Sequence, residues 1–548
     1  MIKYVLSTSN PASQLLNIVL SLDCDSGETV FLQLPSWRPG RYELANYAQY
    51  IKEISANSAG KAVPISKVTK DRWSFQAPTK ETYEVHYSFF AGQMDAGGSW
   101  LDPSQLYLNF INFIFEIMGK EDQPISVSLD LPHSYKVATA LPKKATHIYQ
   151  ADHFQHLVDS PMIAAKELRH EYYTLKGSRF HVWIKGEIHF DLNQVLHYFE
   201  NFTKAQVKAF GSFPAEDFHF LIQLLPYPHY HGVEHQFSTV ITLGPSKSMN
   251  EKTNIDKLIG VCSHELYHFW NVCRIRPSAL LPYDFSKEAY FQEGMVAEGV
   301  TTYMGDRYLH QSGYYSREEY LRVLEKMINR EFESLGWKNQ SVVASSWDLW
   351  LDGYKPGVPE KKVSIYNRGA LLSLCLDLIL FEKGQCLQKV MNAMWKNYGH
   401  KAIGYKLSDF ENLVLETSGK DPKITRFFDD FVWGTEDLFP LLKDLLHHIR
   451  VGLIGQPREN VLEGNFGILT DPKGRIIKIH PNATAYQDLM IGDDIKHYTA
   501  GNNFLKLEIL RFEEQFNIEL EENSNSFYQS YSLKIPKETD VLDQFLQQ

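Results

Sequence analysis

Short runs in which every second residue is apolar dominate the first part of the chain. Val30-Phe-Leu-Gln-Leu34, Tyr83-Glu-Val-His-Tyr-Ser-Phe89 and Ile125-Ser-Val-Ser-Leu129 alternate in this way, with Gly, Pro and Asn between them. A period of two puts alternate side chains on one face of a strand, so residues 1 to about 168 are expected to form a β-sandwich. From about 170 to 445 the spacing lengthens to that of helices. Ser316-Arg-Glu-Glu319 is a capping box opening a helix through Glu331, and Arg368 to Phe381 reads as another. Asp256 to Val272 is apolar and helix-compatible, with Leu258, Ile259, Val261, Cys262, Leu266, Phe269 and Trp270 suited to a buried helix. Ser286 is an N-cap candidate for a helix over 287–310. Phe218 to Leu225 and Gln236 to Thr242 are strand-like, with Pro226 to Gly232 as the turn between them. The last hundred residues return to strands at Gly467-Ile-Leu469, Arg475-Ile-Ile-Lys-Ile479 and Leu505-Lys-Leu-Glu-Ile-Leu510.

These shifts in pattern divide the chain into three expected domains, 1–168, 169–447 and 448–548, and the fold class is multidomain α+β. The length of 548 residues exceeds what one core supports, and 44% hydrophobic with 22% charged residues is a globular composition. A net charge of -11 argues against nucleic acid or an anionic membrane as partner and mildly favours cationic ligands. Cys24, Cys262, Cys273, Cys375 and Cys386 are odd in number and scattered, which points to reduced thiols. The first residues lack a long apolar leader and no segment reaches the roughly 18 apolar residues of a membrane span. A cytoplasmic protein is therefore expected; no oligomeric state follows from the sequence.

One pentapeptide carries chemistry. His264-Glu265-Leu266-Tyr267-His268 places two imidazoles at i and i+4 of a helix, on one face, with a carboxylate beside the first. Two imidazoles so placed can share one zinc ion, one per chain, while Glu265 faces a water in the open coordination position. Catalytic zinc needs a third protein ligand, and Glu293 and Glu298 compete for that place. Five helical residues turn about 140° beyond one full revolution, so both cannot face one ion. Glu298, flanked by Ala297, Gly299, Thr301 and Thr302, suits a helix packed closely on the first and is preferred; Glu293 reads as a solvated or structural carboxylate.

His264-Glu-Leu-Tyr-His-Phe-Trp-Asn-Val-Cys-Arg-Ile-Arg-Pro277, followed by Val296-Ala-Glu-Gly-Val-Thr-Thr-Tyr-Met-Gly-Asp306, resembles the glycyl aminopeptidase family of gluzincin metallopeptidases. Leu34-Pro-Ser-Trp-Arg-Pro-Gly-Arg-Tyr42 is similar to that family's N-terminal motif, and Gly232-Val-Glu-His235 to its Gly-Leu-Glu-His element. Ser364-Ile-Tyr-Asn-Arg-Gly-Ala370 resembles the tyrosine motif shared with larger relatives. Cys273, His231, Met295 and Met304 depart from the family pattern without touching a proposed metal ligand. The resemblance implies a thermolysin-like, mostly helical catalytic domain and a C-terminal PDZ-like domain, to which Ala485-Tyr-Gln-Asp-Leu-Met-Ile-Gly-Asp-Asp-Ile495 is also similar.

The same resemblance implies that His264, His268 and Glu298 hold zinc and that Glu265 is the general base, taking a proton from water and returning it to the leaving amine. Tyr366 is implied as a hydroxyl donor to the developing oxyanion, and Glu234 as the carboxylate that receives the free N-terminus of a peptide. The expected activity is removal of a small first residue, Gly or Ala, from peptides. A zinc endopeptidase, an epoxide hydrolase, or a peptide-binding scaffold with a vestigial metal site are the alternatives. His235, Asn271, Arg274 and Arg276 are expected to orient the ligands, and Asp306 to accept a bond from one imidazole.

Overall fold

The computed structural model describes residues 2–355, 357–501, 503–522, 526–535, 537 and 539–548. The chain forms two compact units. One comprises Met1–Tyr314, Ser346–Lys355 and Gln388–Leu413; the other comprises Tyr315–Ser345, Pro356–Leu387 and Val414–Gln548.

In the first unit the period-two runs become sheets. Leu15–Cys24 buries Leu16, Ile18, Leu20, Leu22 and Cys24 on one face and pairs antiparallel with Glu81–Phe90, which buries Tyr83, Val85, Tyr87 and Phe89. They lie at the centre of an eight-stranded sheet in which Ile2–Ser7 pairs parallel with Ile125–Leu129. Two four-stranded sheets, one holding Glu28–Gln33 and the other Gln105–Leu108, complete the β-rich N-terminal region.

A five-stranded sheet follows, in the order Arg169–Leu175, Ser178–Lys185, Asp217–Leu224, Ser238–Gly244, His229–Glu234. The expected strand pair around residue 230 forms differently. Asp217–Leu224 and Ser238–Gly244 run parallel, and His229–Glu234, read from sequence as largely turn, is a strand antiparallel to Ser238–Gly244. Its alternation is masked by the polar residues His229, His231 and Glu234, of which the two imidazoles are half-buried and the carboxylate is buried. As the outer strand it leaves one edge unpaired within the sheet.

Helices Leu192–Phe210, Lys252–Tyr267 and Thr301–Gln311 pack on one another beside this sheet. The third begins later than expected, because residues 286–293 are not helical. Ser286 donates its hydroxyl to Asp284 instead of capping a helix, and the Phe285 carbonyl accepts from the Ser36 N–H. Tertiary contacts to the N-terminal region have claimed the segment that local propensity assigned to a first helical turn. Among the described residues no helix is long and apolar enough to cross a membrane.

The second unit is built on helices Arg317–Phe332, Asn367–Phe381 and Leu438–His448. Ser316 caps the first through the expected reciprocal pair with Glu319. Asn367–Phe381 is apolar around its whole circumference and almost fully buried, as a central core helix must be. The C-terminal part holds an antiparallel three-stranded meander, Asp494–Ala500, Phe504–Arg511 and Glu514–Glu521, around a core of Ile468, Leu505, Leu507, Ile509 and Leu520. Asn329 exchanges two hydrogen bonds with the backbone of Tyr531, and Glu325 accepts from the N–H of Leu533, so side chains of helix Arg317–Phe332 occupy the edge of the last strand.

Candidate active site

Helix Lys252–Tyr267 carries His264 and Glu265, and His268 stands at its C-terminal end. The helix can approach its neighbour closely because Gly305 presents no side chain: a Cβ there would lie 3.1 Å from the His264 Cα. Ser263 fixes the same crossing by donating to the Gly305 carbonyl. Met295–Val300 winds as a wide π turn before the α-helix resumes, and Glu298 projects from it. Such turns break the regular ladder and re-aim side chains. Asn271 ties the turn down, its amide donating to the Val296 carbonyl at 2.7 Å and to Thr301 Oγ1 at 3.0 Å.

The consequence is a buried triangle. His264 Nε2 and His268 Nε2 are 3.0 Å apart, and Glu298 Oε2 lies 3.7 Å from the first and 3.4 Å from the second. Ligands about 2.1 Å from a tetrahedral zinc stand about 3.4 Å from one another, which these separations bracket. His268 Nδ1 faces the Asn271 carbonyl at 2.7 Å, so Nδ1 carries a proton and Nε2 is the nitrogen turned into the triangle. Asn271 thus does the orienting expected of it, through its main chain for His268 and its side chain for the Glu298 turn. Glu298 Oε2 finds no hydrogen-bond donor.

Two more carboxylates border the triangle. One oxygen each of Glu234 and Glu265 lies with a His268 nitrogen in a group within 4.8 Å. Glu265 is 5% and Glu234 6% exposed, and each keeps one buried oxygen without a donor. Burial pushes both carboxyls above the usual range, Glu265 well above it. Burial drives His264 well below the ordinary imidazole value; at His268 burial is outweighed by the charge of Glu298, then of Glu234 and Glu265, which lift it to about 10. Three buried carboxylates against two imidazoles, with donor-free oxygens facing inward, fit a divalent cation.

Backbone from distant segments approaches these acids where only glycine fits. A Cβ on Gly232 would overlap Glu265 Oε1, and one on Gly40 would stand 2.5 Å from Glu234 Oε2. Gly40 has φ +73°, in the left-handed region. Its loop is anchored by Trp37, which donates to the Asp284 carbonyl at 2.9 Å and packs among Tyr42, Tyr283, Phe285 and Trp350.

Of the remaining sequence candidates, Glu293 is outside the cluster and accepts from the N–H groups of Leu407 and Gln292, a structural role. His235 pairs with Asp159 at 2.9 Å and Arg274 with the carbonyls of Phe269 and Gln236, so neither donates to a metal-facing imidazole. His268 gives its Nδ1 proton to the Asn271 carbonyl and not to Asp306, whose carboxyl burial raises to about 7. Tyr366 belongs to the second unit, half-buried, immediately before helix Asn367–Phe381. Arg38, Gly40 and Asp159 were given no individual role by the sequence; the first two lie in a quoted motif, whereas nothing local marks Asp159.

Residues 3–166 match the family model described as the peptidase M61 N-terminal domain, and residues 257–372 match that of the M61 glycyl aminopeptidase. The crystal structure of an aminopeptidase N family protein from Idiomarina loihiensis is similar over 100% of both chains at 26% identity and a TM-score of 0.91. An M1 zinc metallopeptidase from Deinococcus radiodurans is similar in fold, at 14% identity and a TM-score of 0.50, over 80% of this chain and 94% of its own. No curated protein matches the sequence.

Proposed function

This chain belongs to the M61 peptidase family, and from that premise we propose that it is a zinc-dependent aminopeptidase that hydrolyses the first peptide bond of peptides with a free N-terminus, favouring a small first residue such as Gly or Ala. The observation that carries the reading is the buried triangle of His264 Nε2, His268 Nε2 and Glu298 Oε2, with Glu265 and Glu234 beside it. Those three atoms would hold one zinc ion per chain. Bound there, zinc would polarise the scissile carbonyl and lower the pKa of water.

The chain's own residues supply the rest. Glu265 takes the proton of the attacking water on a carboxylate oxygen and delivers it to the leaving nitrogen. Glu234 receives the substrate's ammonium group, and its place at the end of an edge strand leaves backbone groups for an extended peptide. Gly40 lies over Glu234 without a side chain, which leaves the carboxylate free for an amino group, and the small-residue preference rests on the family alone. The motif Ser364-Ile-Tyr-Asn-Arg-Gly-Ala370 assigns the Tyr366 hydroxyl to the developing oxyanion, and that role rests on the motif alone. A PDZ-like identity for residues 448–548, and the domain division at 168 and 447, belong to the same proposal; the meander with short helix Ala485–Asp488 beside it supports the former.

The test is metal analysis with a substrate pair. About one zinc per chain, hydrolysis of alanine amide and of Ala-first peptides, and no hydrolysis after N-acetylation are expected. Equal cleavage of acetylated and free peptides would overturn the aminopeptidase reading, and a metal-free yet active protein would overturn the site.

A further inference from the structure

The carboxylate proposed to receive a substrate's amino group stands one residue before a turn that two distant side chains hold. Glu234 ends its strand, paired with Thr239, and the His235 N–H donates to the Ser238 carbonyl at 2.9 Å to close the turn over 235–238. Turns of this kind ordinarily lie at the surface with their backbone groups in water. Here Gln236 is engaged on both sides. Asp159 accepts from the Gln236 N–H and from His235 Nδ1, both at 2.9 Å, and Arg274 Nη1 donates to the Gln236 carbonyl at 3.2 Å.

The same nitrogen of Arg274 reaches the helix that carries the metal-facing imidazoles. The end of a helix leaves carbonyls without backbone donors, and Arg274 Nη1 donates to that of Phe269, the residue after His268, at 2.6 Å. Its guanidinium carbon lies 3.5 Å from the centre of the Phe269 ring and 5.3 Å from that of Phe237. Burial pulls the guanidinium down to about 10, and the charge of Asp159 is among those that oppose it, so acid and base act on each other across the turn. Capping the helix needs only the bond to Phe269. The bond to Gln236, and the acid on the far side of that residue, add nothing to the helix and tie its end to the turn beside Glu234.

We propose that Arg274 is a positioning residue, with Asp159 as its partner, and that together they set the distance from Glu234 to the metal ligand His268 and so confine hydrolysis to the first peptide bond. The proposal rests on the reading of Glu234 as receiver of the amine. One Glu234 oxygen is buried without a donor and the other lies under Gly40, so the backbone is what places this carboxylate. A carboxylate meets an ammonium group only if it stands about one residue from the metal, and a misplacement of about 1 Å can cost about 100-fold in rate.

Calorimetry on the full, zinc-loaded chain with alanine hydroxamate and propionohydroxamate decides it, because the two bind a metal through the same group and differ in the amino group alone. The parent should prefer the alanine compound. Arg274→Met keeps the apolar stem and removes the donors; it should reduce that preference at least tenfold, with propionohydroxamate and zinc bound within twofold of the parent. KM for alanine amide should rise by a similar factor with kcat less affected. Arg274→Lys should restore part of the preference, and Asp159→Asn, which keeps one acceptor, should lose part of it. Combined, Arg274→Met and Asp159→Asn should cost less than the product of their separate effects, since both act through Gln236. Should Arg274→Met not fold, Asp159→Asn carries the comparison. An undiminished preference in the folded variants, or equal weakening of both hydroxamates, would overturn the positioning role. A parent that binds the two compounds equally would instead overturn the reading of Glu234, and this proposal with it.

Discussion

Replacing Gly40 by alanine tests whether the N-terminal loop defines the place where a substrate amino group is received. The added methyl carbon would stand 2.5 Å from Glu234 Oε2, whereas carbon and oxygen pack at about 3.5 Å. The carboxylate must therefore retreat by about 1 Å. A hydrogen bond to a charged group contributes about 1.5–3 kcal/mol, so losing most of it corresponds to roughly a 10- to 150-fold fall in affinity for the ammonium group. That loss should appear in KM for alanine amide with kcat less affected, because binding of the amine is shared by ground and transition states. The backbone adds a second cost, about 1–2 kcal/mol for a side chain in the left-handed region, read as a lower unfolding midpoint. Gly119 separates the two: its φ is +82° and nothing stands within 4 Å of a Cβ there. Gly119→Ala should lower the midpoint comparably and leave kcat/KM unchanged. Zinc content should be full in both variants. If Gly40→Ala, folded and metal-loaded, keeps kcat/KM within twofold of the parent, Glu234 does not bind the substrate amine from beneath this loop.

Glu298→Gln removes the anionic corner of the triangle and should weaken zinc binding by about 100-fold or more, since even residues that only orient ligands contribute 10- to 100-fold; competition with a chelator measures it, and unchanged affinity would remove Glu298 from the site. Glu116, in strand Glu116–Ile117, is held up at about 7 by burial, then by the charges of Glu121 and Asp284. A raised acid keeps its proton longer in the folded state, so its favourable contribution is full below about pH 4.5 and is lost as pH rises through 7. Glu116→Gln should accordingly stabilise the protein by about 1–2 kcal/mol at pH 8, after allowance for solvent screening, and change little at pH 4.5; denaturant midpoints at the two pH values check this, and an equal shift at both would contradict it. Ser316→Ala breaks the capping box and should cost about 1 kcal/mol in the unfolding of the second unit, with zinc content and KM unaffected.

What the sequence made legible is what local physics decides. The Ser316 box opens its helix because the cap and Glu319 satisfy each other's backbone donors within one turn, and Ile125–Leu129 is a strand because alternation alone selects a buried face. The two histidines share a face by the pitch of the helix, so their convergence needed no knowledge of the fold. Where long-range contacts compete, local reading failed. Ser286 has a cap's chemistry, but its hydroxyl is taken by Asp284 and its segment is held by the loop that carries Ser36 and Trp37. His229–Glu234 lacks a strand's apolar alternation because half-buried imidazoles stand at 229 and 231 and a buried carboxylate at 234.

The parts of the site that sequence could not supply are those made by encounter. Gly40 meets Glu234 across 194 positions of chain, and Asp159 meets His235 across 76. Neither pairing leaves a periodicity or a spacing. Yet both act through features that are simple once juxtaposed. A residue without a side chain allows backbone to lie on a carboxylate, and an imidazole with a neighbouring N–H fixes both oxygens of an acid far away in the chain. The loop Trp37 to Tyr42 supplies Gly40 to the proposed amine subsite, so a change in its anchorage should disturb the binding of the substrate amine. Trp37→Phe removes the indole donor to the Asp284 carbonyl and part of the aromatic contact while keeping an apolar ring. If the loop supports the amine subsite, that substitution should raise KM for alanine amide with zinc affinity unaltered. An unchanged KM in a folded, zinc-loaded Trp37→Phe protein would show that this anchorage does not hold Gly40 over Glu234.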